Sequence, residues 1–568
     1  MRRAPLIALS ALVALGGVEL TYGQSAGALT LQKGPPPVTM DVTETFLADW
    51  HAKLDDANLK EKAPDVIDFR NRLTVRLRRE NLTFGTRLDA ALFTNPPSSQ
   101  YQNDLRIEEL YLKARLGSWR LTAGDDYASF GRGMALSLRK VDDLGFDVSL
   151  RGAHAVWKSK RFSARIHAGL TNVVNVDGVD EKLVPDPLDL VLATRLEARP
   201  SPKVIIGAQF VDVERRHSDL LGSIGSLVPD GIDQDPIGGE RFLRTMIMGS
   251  SVELKRLWNS LSLYGEANTL MNNSERNTKD GYELVENDGL AVYGSATMFF
   301  DRTSVLLEAK HYDNFAVNSS LHPETSSEEA ITQVFPYIAP PTLERIDQRV
   351  VNNSNVTGGH AKVDHRLAER RGRVFASAAI FENAPIEHEW TLHSYAGWEG
   401  RTKSGNRYLI QSGFRREWAP DEELTRLEMF HIDLDAYVLI KPGQDLQFHL
   451  NHEFRSKNPD AGSNATGSDL ADDYMEGTAY VTWTLAPHWS LTAQGEYITD
   501  EATRAKEEAF LGVPATFYPG AHVQYRFTPS TYVRVFAGRS KGGLKCSGGI
   551  CRIFPEFEGA KLEATVRF

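Results

Sequence analysis

The strongest constraint on the fold of this chain is a series of alternating segments, each about ten residues long, that recurs from residue 39 to residue 568. In the segment 67–78, Phe69, Val75 and Leu77 fall on one face of a strand, and arginines fill most of the other face. Side chains alternate between two faces along a β-strand, so each segment predicts one apolar and one charged face. Several charges on one face cannot enter a packed core without a large desolvation cost, so the charged face needs water.

The connections between these segments alternate between short and long. Every second connection is a short turn, as at residues 117–118 and 441–443. The others are mostly long and polar, as at residues 214–242, 271–287, 314–355 and 456–472. Outer-membrane barrels combine short periplasmic turns with long extracellular loops in this way. The sequence therefore predicts an all-β fold, a single large transmembrane up-and-down antiparallel β-barrel of about 24 strands, within a range of about 20–26.

The N-terminus predicts export from the cytoplasm. A basic start, an apolar run at residues 6–18 and small residues near Gly23 and Ala26 are together typical of a secretory signal peptide. We expect a signal peptide at residues 1–23, with cleavage as late as residue 26, then a short periplasmic segment at 24–38 and the barrel at 39–568. No uncharged run of about twenty apolar residues follows, so the mature chain is not expected to cross a membrane with a helix.

The C-terminus predicts the strand that closes the barrel. Residues 557–568 alternate between apolar and charged side chains and end on Phe568. This strand resembles the closing strand of bacterial outer-membrane barrels, whose assembly machinery reads the terminal aromatic residue. We therefore expect an outer-membrane protein of a Gram-negative cell, with membrane lipid and the barrel assembly machinery as partners and a periplasmic or extracellular protein as a further candidate. The balance of 64 basic and 75 acidic residues argues against a nucleic-acid partner.

The charged strand faces supply the candidate pore residues. We expect the following side chains to line the lumen: Asp68, Arg70, Arg72, Arg76, Arg165, His167, Glu453, Lys561, Glu563 and Arg567. Gly131, Arg132 and Gly133 form a candidate constriction, because glycines let a loop fold tightly and an arginine there can project into a pore. A glycine-relieved kink within a strand explains the same three residues equally well.

Other residue groups were candidates for covalent or catalytic chemistry. Cys546 and Cys551 predict a disulfide in the last long connection, because an exported chain reaches an oxidising compartment and the Gly-Gly between them can turn. Asp230, Asp233 and Asp235 offer oxygen ligands for calcium, but their spacing departs from the EF-hand loop. The sequence contains no H-E-x-x-H, G-x-S-x-G, nucleotide-binding or haem-attachment motif. We therefore expect no metal site, no cofactor and no catalytic residues.

Two internal stretches and the closing hairpin carry a family resemblance. They are residues 124–133 with 144–147 and 150–152, residues 340–344 with 351–355, and residues 546–568. These stretches resemble a pattern in an uncharacterised family of bacterial outer-membrane β-barrel proteins, which is porin-like in architecture. The resemblance implies the barrel and its location but no activity, because that family has no assigned substrate or catalytic residues.

Three functions follow from the sequence, in decreasing order of support. The first is a channel-like barrel that passes or exports polar solutes. The second is a structural sleeve or export conduit for a partner protein or polymer in an envelope complex, and the third is an outer-membrane enzyme. An open barrel of about 24 strands would breach the permeability barrier. Because residues 24–38 are too few to form a plug domain, we expect loops, inward side chains or another protein to narrow the lumen, and the connections 126–147 and 314–355 are the best internal candidates.

Overall fold

The computed structural model of the chain consists of one large β-sheet closed on itself, with short hairpins in its connections. It describes residues 37–52, 65–96, 101–176, 183, 189–215, 240–278, 281–317, 336–341, 355–368, 372–383, 389–419, 424–457, 473–500, 509–510, 513–514, 516–547 and 550–568.

Twenty-four antiparallel strands form the wall, each paired with its neighbours in the chain. They are β1 Thr39–His51, β2 Val66–Arg79, β3 Leu82–Thr94, β4 Asp104–Leu116, β5 Trp119–Asp126, β6 Phe146–Lys158, β7 Phe162–Val173, β8 Leu190–Ser201, β9 Val204–Glu214, β10 Glu240–Leu257, β11 Leu261–Thr278, β12 Gly281–Phe299, β13 Thr303–Asp313, β14 Val356–Arg366, β15 Gly372–Asn383, β16 Glu389–Arg401, β17 Arg407–Ala419, β18 Leu424–Lys441, β19 Gln444–Lys457, β20 Asp473–Leu485, β21 Trp489–Ile498, β22 Thr516–Thr528, β23 Thr531–Ser540 and β24 Phe557–Arg567. The two-residue strand Lys140–Val141 adds to the sheet beside β6.

The first and last strands pair and close the barrel. β1 lies antiparallel to β24, from Thr43 opposite Arg567 to His51 opposite Gly559. Phe568 extends this seam, because its N–H donates to the carbonyl of the facing residue Val42 at 2.9 Å and its own carbonyl accepts from the same residue at 3.3 Å. The predicted all-β class, the closed meander and the strand number of 24 are confirmed.

The two faces of the wall differ as the alternation predicts. Large apolar side chains such as Leu192, Val252 and Phe430 are exposed on the outer face, and the charged residues of the same strands alternate with them. An apolar outer surface on a closed barrel faces lipid, while the inner face contacts water. Aromatic rings also pair near strand ends, as Trp119 and Trp157 do, where membrane interfaces favour them. This architecture places the chain in an outer membrane.

The connections follow the predicted alternation with one correction. The turns after β2, β4 and β18 contain two residues each, and the long connections lie at the opposite strand ends. The loop predicted at 271–287 is wrong, because β11 and β12 continue until Thr278 pairs with Gly281. Residues 272–278 are polar on both faces, so the apolar period of two disappears there although the backbone ladder continues. Among the described ranges, no helix combines the length and the apolar character needed to cross a membrane.

Candidate functional site: the lumen and its inner segments

The ten residues expected to line the lumen all lie on the inner face of the wall, opposite the exposed apolar side chains. Most of them reach an oppositely charged group on a neighbouring strand. Arg72 lies 3.2 Å from Asp89, for example, and Lys561 lies 3.3 Å from Asp49. The inner wall is therefore a lattice of paired charges, and the role of these ten residues in conduction stays a prediction.

Two arginines connect this lattice across several strands. Arg70 bridges Asp49 at 2.7 Å and Asp68 at 2.9 Å, and Asp68 is completely buried. Arg87 on β3 reaches Asp147 on β6 at 2.9 Å. A buried carboxylate without a partner would cost several kcal/mol, on the order of 3–5. Each arginine therefore compensates acidic groups that the wall has removed from water.

Residues 127–145, the connection between β5 and β6, fold onto the inner face and are called here the first inner segment. Within it, Ala128–Phe130 pairs with Leu136–Leu138 as a small hairpin. Phe130, Leu136 and Leu138 are fully buried in an apolar cluster that includes Val191 and Val211 of the inner wall. An apolar patch in a water-filled lumen needs a cover, and this hairpin supplies it.

The candidate constriction residues form the turn region of this hairpin. Gly131 and Gly133 have positive φ angles of 62° and 87°. The Arg132 N–H donates to Glu266 Oε2 at 3.0 Å, and its guanidinium lies 4.5 Å from the ring centre of Tyr264. These three residues therefore lie in the turn of a hairpin within a connection, and not in a kink within a strand. The exposed Arg132 side chain is fixed beside β11 through its backbone, and its role as a constriction stays a prediction.

Within the connection between β13 and β14, residues 336–341 lie against the first inner segment and are called here the second inner segment. Its backbone is hydrogen-bonded to the backbone of the first inner segment. The Ser137 N–H donates to the Tyr337 carbonyl at 2.7 Å, and the Ala339 N–H donates to the Gly133 carbonyl at 2.9 Å. The two segments therefore form one unit inside the barrel.

Tyr337 anchors this unit to the wall. Its side chain is completely buried, and its hydroxyl donates to Asp189 Oδ2 at 2.7 Å, just before β8 begins. Burial and the neighbouring Asp189 carboxylate raise the pKa of Tyr337 well above its ordinary value. The hydroxyl therefore keeps its proton, and with it this hydrogen bond, across the physiological pH range.

A cavity of about 610 Å³ remains beside the inner segments, between residues 140–147 and the strands around the closing seam. Among the described residues, its charged lining consists of five acids and five bases, namely Asp49, Asp142, Asp147, Glu496, Glu563, Arg70, Arg72, Lys140, Arg534 and Lys561. The cavity is therefore polar, large enough for a small solute, and close to neutral overall.

Two side-chain groups in the wall have the donor types of catalytic or metal sites. Ser377 Oγ lies 2.8 Å from His360 Nε2, and His360 Nδ1 lies 2.7 Å from Glu308 Oε2, with all three side chains buried. Asp126, His154 and His167 place one potential ligand atom each within 4.8 Å of one another. Neither group is predicted from the sequence, and the second bears on the expectation that the chain has no metal site.

Two cysteines and an acidic cluster are the remaining candidates from the sequence. Cys546 and Cys551 occupy directly opposite positions in the hairpin of Gly543–Ser547 and Ile550–Phe554. Facing residues of an antiparallel pair have Cα atoms about 4.5–5.5 Å apart, which suits a disulfide, and the bond itself stays a prediction. The acidic cluster at residues 230–235 lies outside the described residues.

Sequence reasoning missed the anchors of the inner segments, although signals for some of them exist. The apolar residues Phe130, Leu136 and Leu138 stand in a connection that should be polar, which indicates a buried loop. His154 and His167 stand at equal distances from the turn between β6 and β7, so a tight hairpin must place them opposite each other. Tyr337 carries no comparable signal, because its partner is remote in sequence.

Several solved structures are similar to this chain. The siderophore receptor PirA from Pseudomonas aeruginosa matches with a TM-score of 0.46 and 9% identity, covering 94% of this chain and 81% of that chain. The copper transporter OprC matches with a TM-score of 0.46 and 10% identity over the same shares, and Pseudomonas aeruginosa OpdO with 0.37 and 10% over 67% and 92%. Identities and TM-scores this low carry no argument about function.

A search of the curated proteins found no match. The model of the family of unknown function DUF6029 matches residues 27–343 and 445–568, which include most of the stretches that carried the resemblance. Residues 351–355 of that resemblance fall outside the matched ranges. Because the match covers more than half of the chain, this protein belongs to the DUF6029 family of unknown function, and its described residues form an outer-membrane β-barrel.

Proposed function

We propose that the protein passes small polar solutes without net charge across the outer membrane, through a lumen that its two inner segments narrow. The observation that carries this proposal is the cavity beside the inner segments, where acidic and basic side chains occur in equal number. Balanced charges attract neither anions nor cations over long range, but they can orient the dipole of a neutral or zwitterionic solute.

The inner segments supply the size limit in this proposal. Their joined backbones and the buried Tyr337 keep them against the inner face. An unobstructed barrel of this strand number would admit large molecules, whereas a cavity of about 610 Å³ admits solutes of metabolite size.

A structural sleeve for a partner protein or polymer is the second candidate, and we favour it less. Such a partner would share the lumen with the inner segments, which cover the apolar cluster from β6 to β15. The segments would have to leave that cluster and expose it to water before a polymer could fill the barrel.

An enzymatic role has the least support. Ser377, His360 and Glu308 have the order of a nucleophile, a base and an orienting acid, but Ser377 is buried in β15, whose two neighbouring strands both pair with it. Backbone N–H groups engaged in a sheet cannot stabilise a developing oxyanion. We expect no reaction of Ser377 with a fluorophosphonate probe, and a labelled Ser377 would restore the enzyme hypothesis.

Planar bilayers and proteoliposomes test the proposed transport. We expect a reversal potential near zero in a salt gradient, and faster liposome swelling with a neutral or zwitterionic solute than with an anion of equal size. Lys561→Gln should shift selectivity towards cations and Glu563→Gln towards anions, because both side chains line the cavity from the same strand. Strong ion selectivity in the wild type would contradict the proposal, and silence until a co-purified partner is removed would favour the sleeve.

A further inference from the structure

Three adjacent strands bring potential metal ligands together on the inner wall. Asp126 ends β5, and His154 on β6 stands directly opposite His167 on β7. Both histidines are buried, and the Asp126 side chain is only 13% exposed. The two Nδ1 atoms are 3.0 Å apart, and a carboxylate oxygen of Asp126 lies within 4.8 Å of one ring nitrogen of each histidine.

The distance between the two imidazole nitrogens suits a shared cation. A metal–nitrogen bond of about 2.0–2.1 Å places two nitrogens on one ion about 2.9–3.4 Å apart, for bond angles from a right angle to the tetrahedral value. The observed 3.0 Å lies within that interval. The two nitrogens therefore already have a separation that one bound ion would require.

The hydrogen bonds of His154 prepare its Nδ1 atom for a metal. Its Nε2 atom lies 3.0 Å from the carbonyl oxygens of Gly124 and Leu150. A carbonyl oxygen can only accept, so Nε2 carries the proton and Nδ1 presents a lone pair towards His167. Metal-bound histidines characteristically donate their other N–H in this way, which fixes the tautomer and the ring orientation.

From this geometry we infer that Asp126, His154 and His167 bind one late first-row divalent ion, such as Zn²⁺, Ni²⁺ or Cu²⁺. Two imidazoles and one carboxylate match that class of ion better than Ca²⁺ or Mg²⁺, which prefer oxygen ligands alone. Three protein ligands leave a fourth position for water. On binding, the proton that His167 holds on Nδ1 is lost there and Nε2 of the same ring takes one up from solvent, so the imidazole stays a neutral ligand.

At this location a bound ion would hold the first inner segment against the wall, and it would not lie on the path of a transported solute. Asp126 is the last wall residue before the first inner segment, and the Phe130 ring of that segment meets the His167 ring edge-on, with centroids 5.8 Å apart. An ion there ties the root of the first inner segment to β6 and β7 and lies behind Phe130, away from the open cavity. This inference does not depend on which solute the barrel passes.

Lys113 offers a test that misfolding cannot imitate. Its Nζ atom lies 2.9 Å from Asp126 Oδ1, so the ammonium holds one carboxylate oxygen and repels a nearby cation. Lys113→Gln removes that repulsion while it keeps a hydrogen-bond donor. We expect this variant to bind metal about tenfold more tightly, which corresponds to about 1.4 kcal/mol.

The experiment uses the full chain in detergent after chelator treatment. Zn²⁺ is titrated by calorimetry and Co²⁺ by visible absorption, with heat-modifiable gel mobility as the check that each variant is folded. The wild type should bind one equivalent, and His167→Ala and Asp126→Asn should each weaken binding by at least about tenfold. His393→Ala is the matched control, because His393 pairs with His431 at 3.1 Å but no third ligand joins them among the described residues.

The outcomes separate clearly. Stoichiometric binding that His167→Ala weakens, that His393→Ala preserves and that Lys113→Gln strengthens supports the site. An absence of binding in the folded wild type overturns the inference, as does binding that survives both His167→Ala and Asp126→Asn. Equal loss in His393→Ala and His167→Ala would also overturn it, because the ion would then be elsewhere.

Discussion

The docking of the two inner segments against each other should be disrupted by one added atom, a Cβ at Gly133. A Cβ atom at Gly133 would lie 2.7 Å from the carbonyl oxygen of Ala339, which is backbone of the second inner segment and cannot turn aside. The φ angle of 87° at Gly133 adds about 1–2 kcal/mol of strain for an alanine. Separating the segments also loses the hydrogen bond from the Ala339 N–H to the Gly133 carbonyl, worth about 0.5–1.5 kcal/mol. Gly133→Ala should therefore destabilise the docked unit by about 2–3 kcal/mol.

This free energy converts into a change in pore behaviour. A shift of about 2–3 kcal/mol multiplies the undocked fraction roughly 30- to 150-fold. In single-channel recordings, high-conductance events should become more frequent by about that factor. Cells that carry the variant should also become sensitive to vancomycin, which is too large for the cavity beside the docked segments.

Gly117→Ala is the matched control. Gly117 also has a positive φ, of 59°, but its Cβ atom would meet nothing within 4 Å, and it lies in the turn between β4 and β5. The control carries comparable backbone strain without touching the inner segments, so its conductance should equal that of the wild type. Folded Gly133→Ala with wild-type conductance would refute the docking argument. Equal effects of both variants would show that barrel strain opens the pore.

Three further predictions concern an anchor, the seam and the cysteines. Tyr337→Phe should raise the frequency of high-conductance events, because the buried Asp189 carboxylate loses a hydrogen-bond donor worth about 1–3 kcal/mol. The pKa of Tyr337 is raised, so the docking that this hydrogen bond supports is present below pH 10 and should weaken only above it. Unchanged recordings would exclude Tyr337 as an anchor. Phe568→Asp should reduce the amount of heat-modifiable barrel in the membrane, because a charge then sits on the outer face of the seam, and wild-type amounts would contradict this. Mass spectrometry of the unreduced protein should find Cys546 linked to Cys551, and alkylation of both thiols without reduction would disprove the disulfide.

The wall of this barrel could be predicted because the alternation of apolar and charged residues is visible within each strand on its own. On β2, Phe69 and Val75 lie on the outer face while Arg70 and Arg72 face the lumen, and the two-residue period requires no knowledge of any other strand. The same argument explains the failure at 271–287. There the strands rise above the membrane and lose the apolar half of the pattern, so only the backbone ladder identifies them.

The candidate site could be predicted only in part, because it depends on contacts between distant parts of the chain. That the lumen must be narrowed, with the connections 126–147 and 314–355 as the best internal candidates, follows from the size of the barrel. The hydrogen bond between Ala339 and Gly133 does not follow from it, because this bond depends on the positions of both backbones. The pair of His154 and His167 lies between these cases, since a tight turn sets their register but only the coordinates reveal the third ligand.

The closing seam has a consequence for how the barrel is made. Thr45 and Thr565 meet across it with their hydroxyl oxygens 3.2 Å apart, although 520 residues separate them in the chain. Joining ends that far apart costs about 5–6 kcal/mol in loop entropy, and β1 presents an unpaired edge until β24 arrives. An edge of that kind can recruit strands from any neighbouring chain. A chain that lacks its last strand therefore exposes two unpaired edges, those of β1 and β23, and should aggregate rather than form a slightly smaller pore.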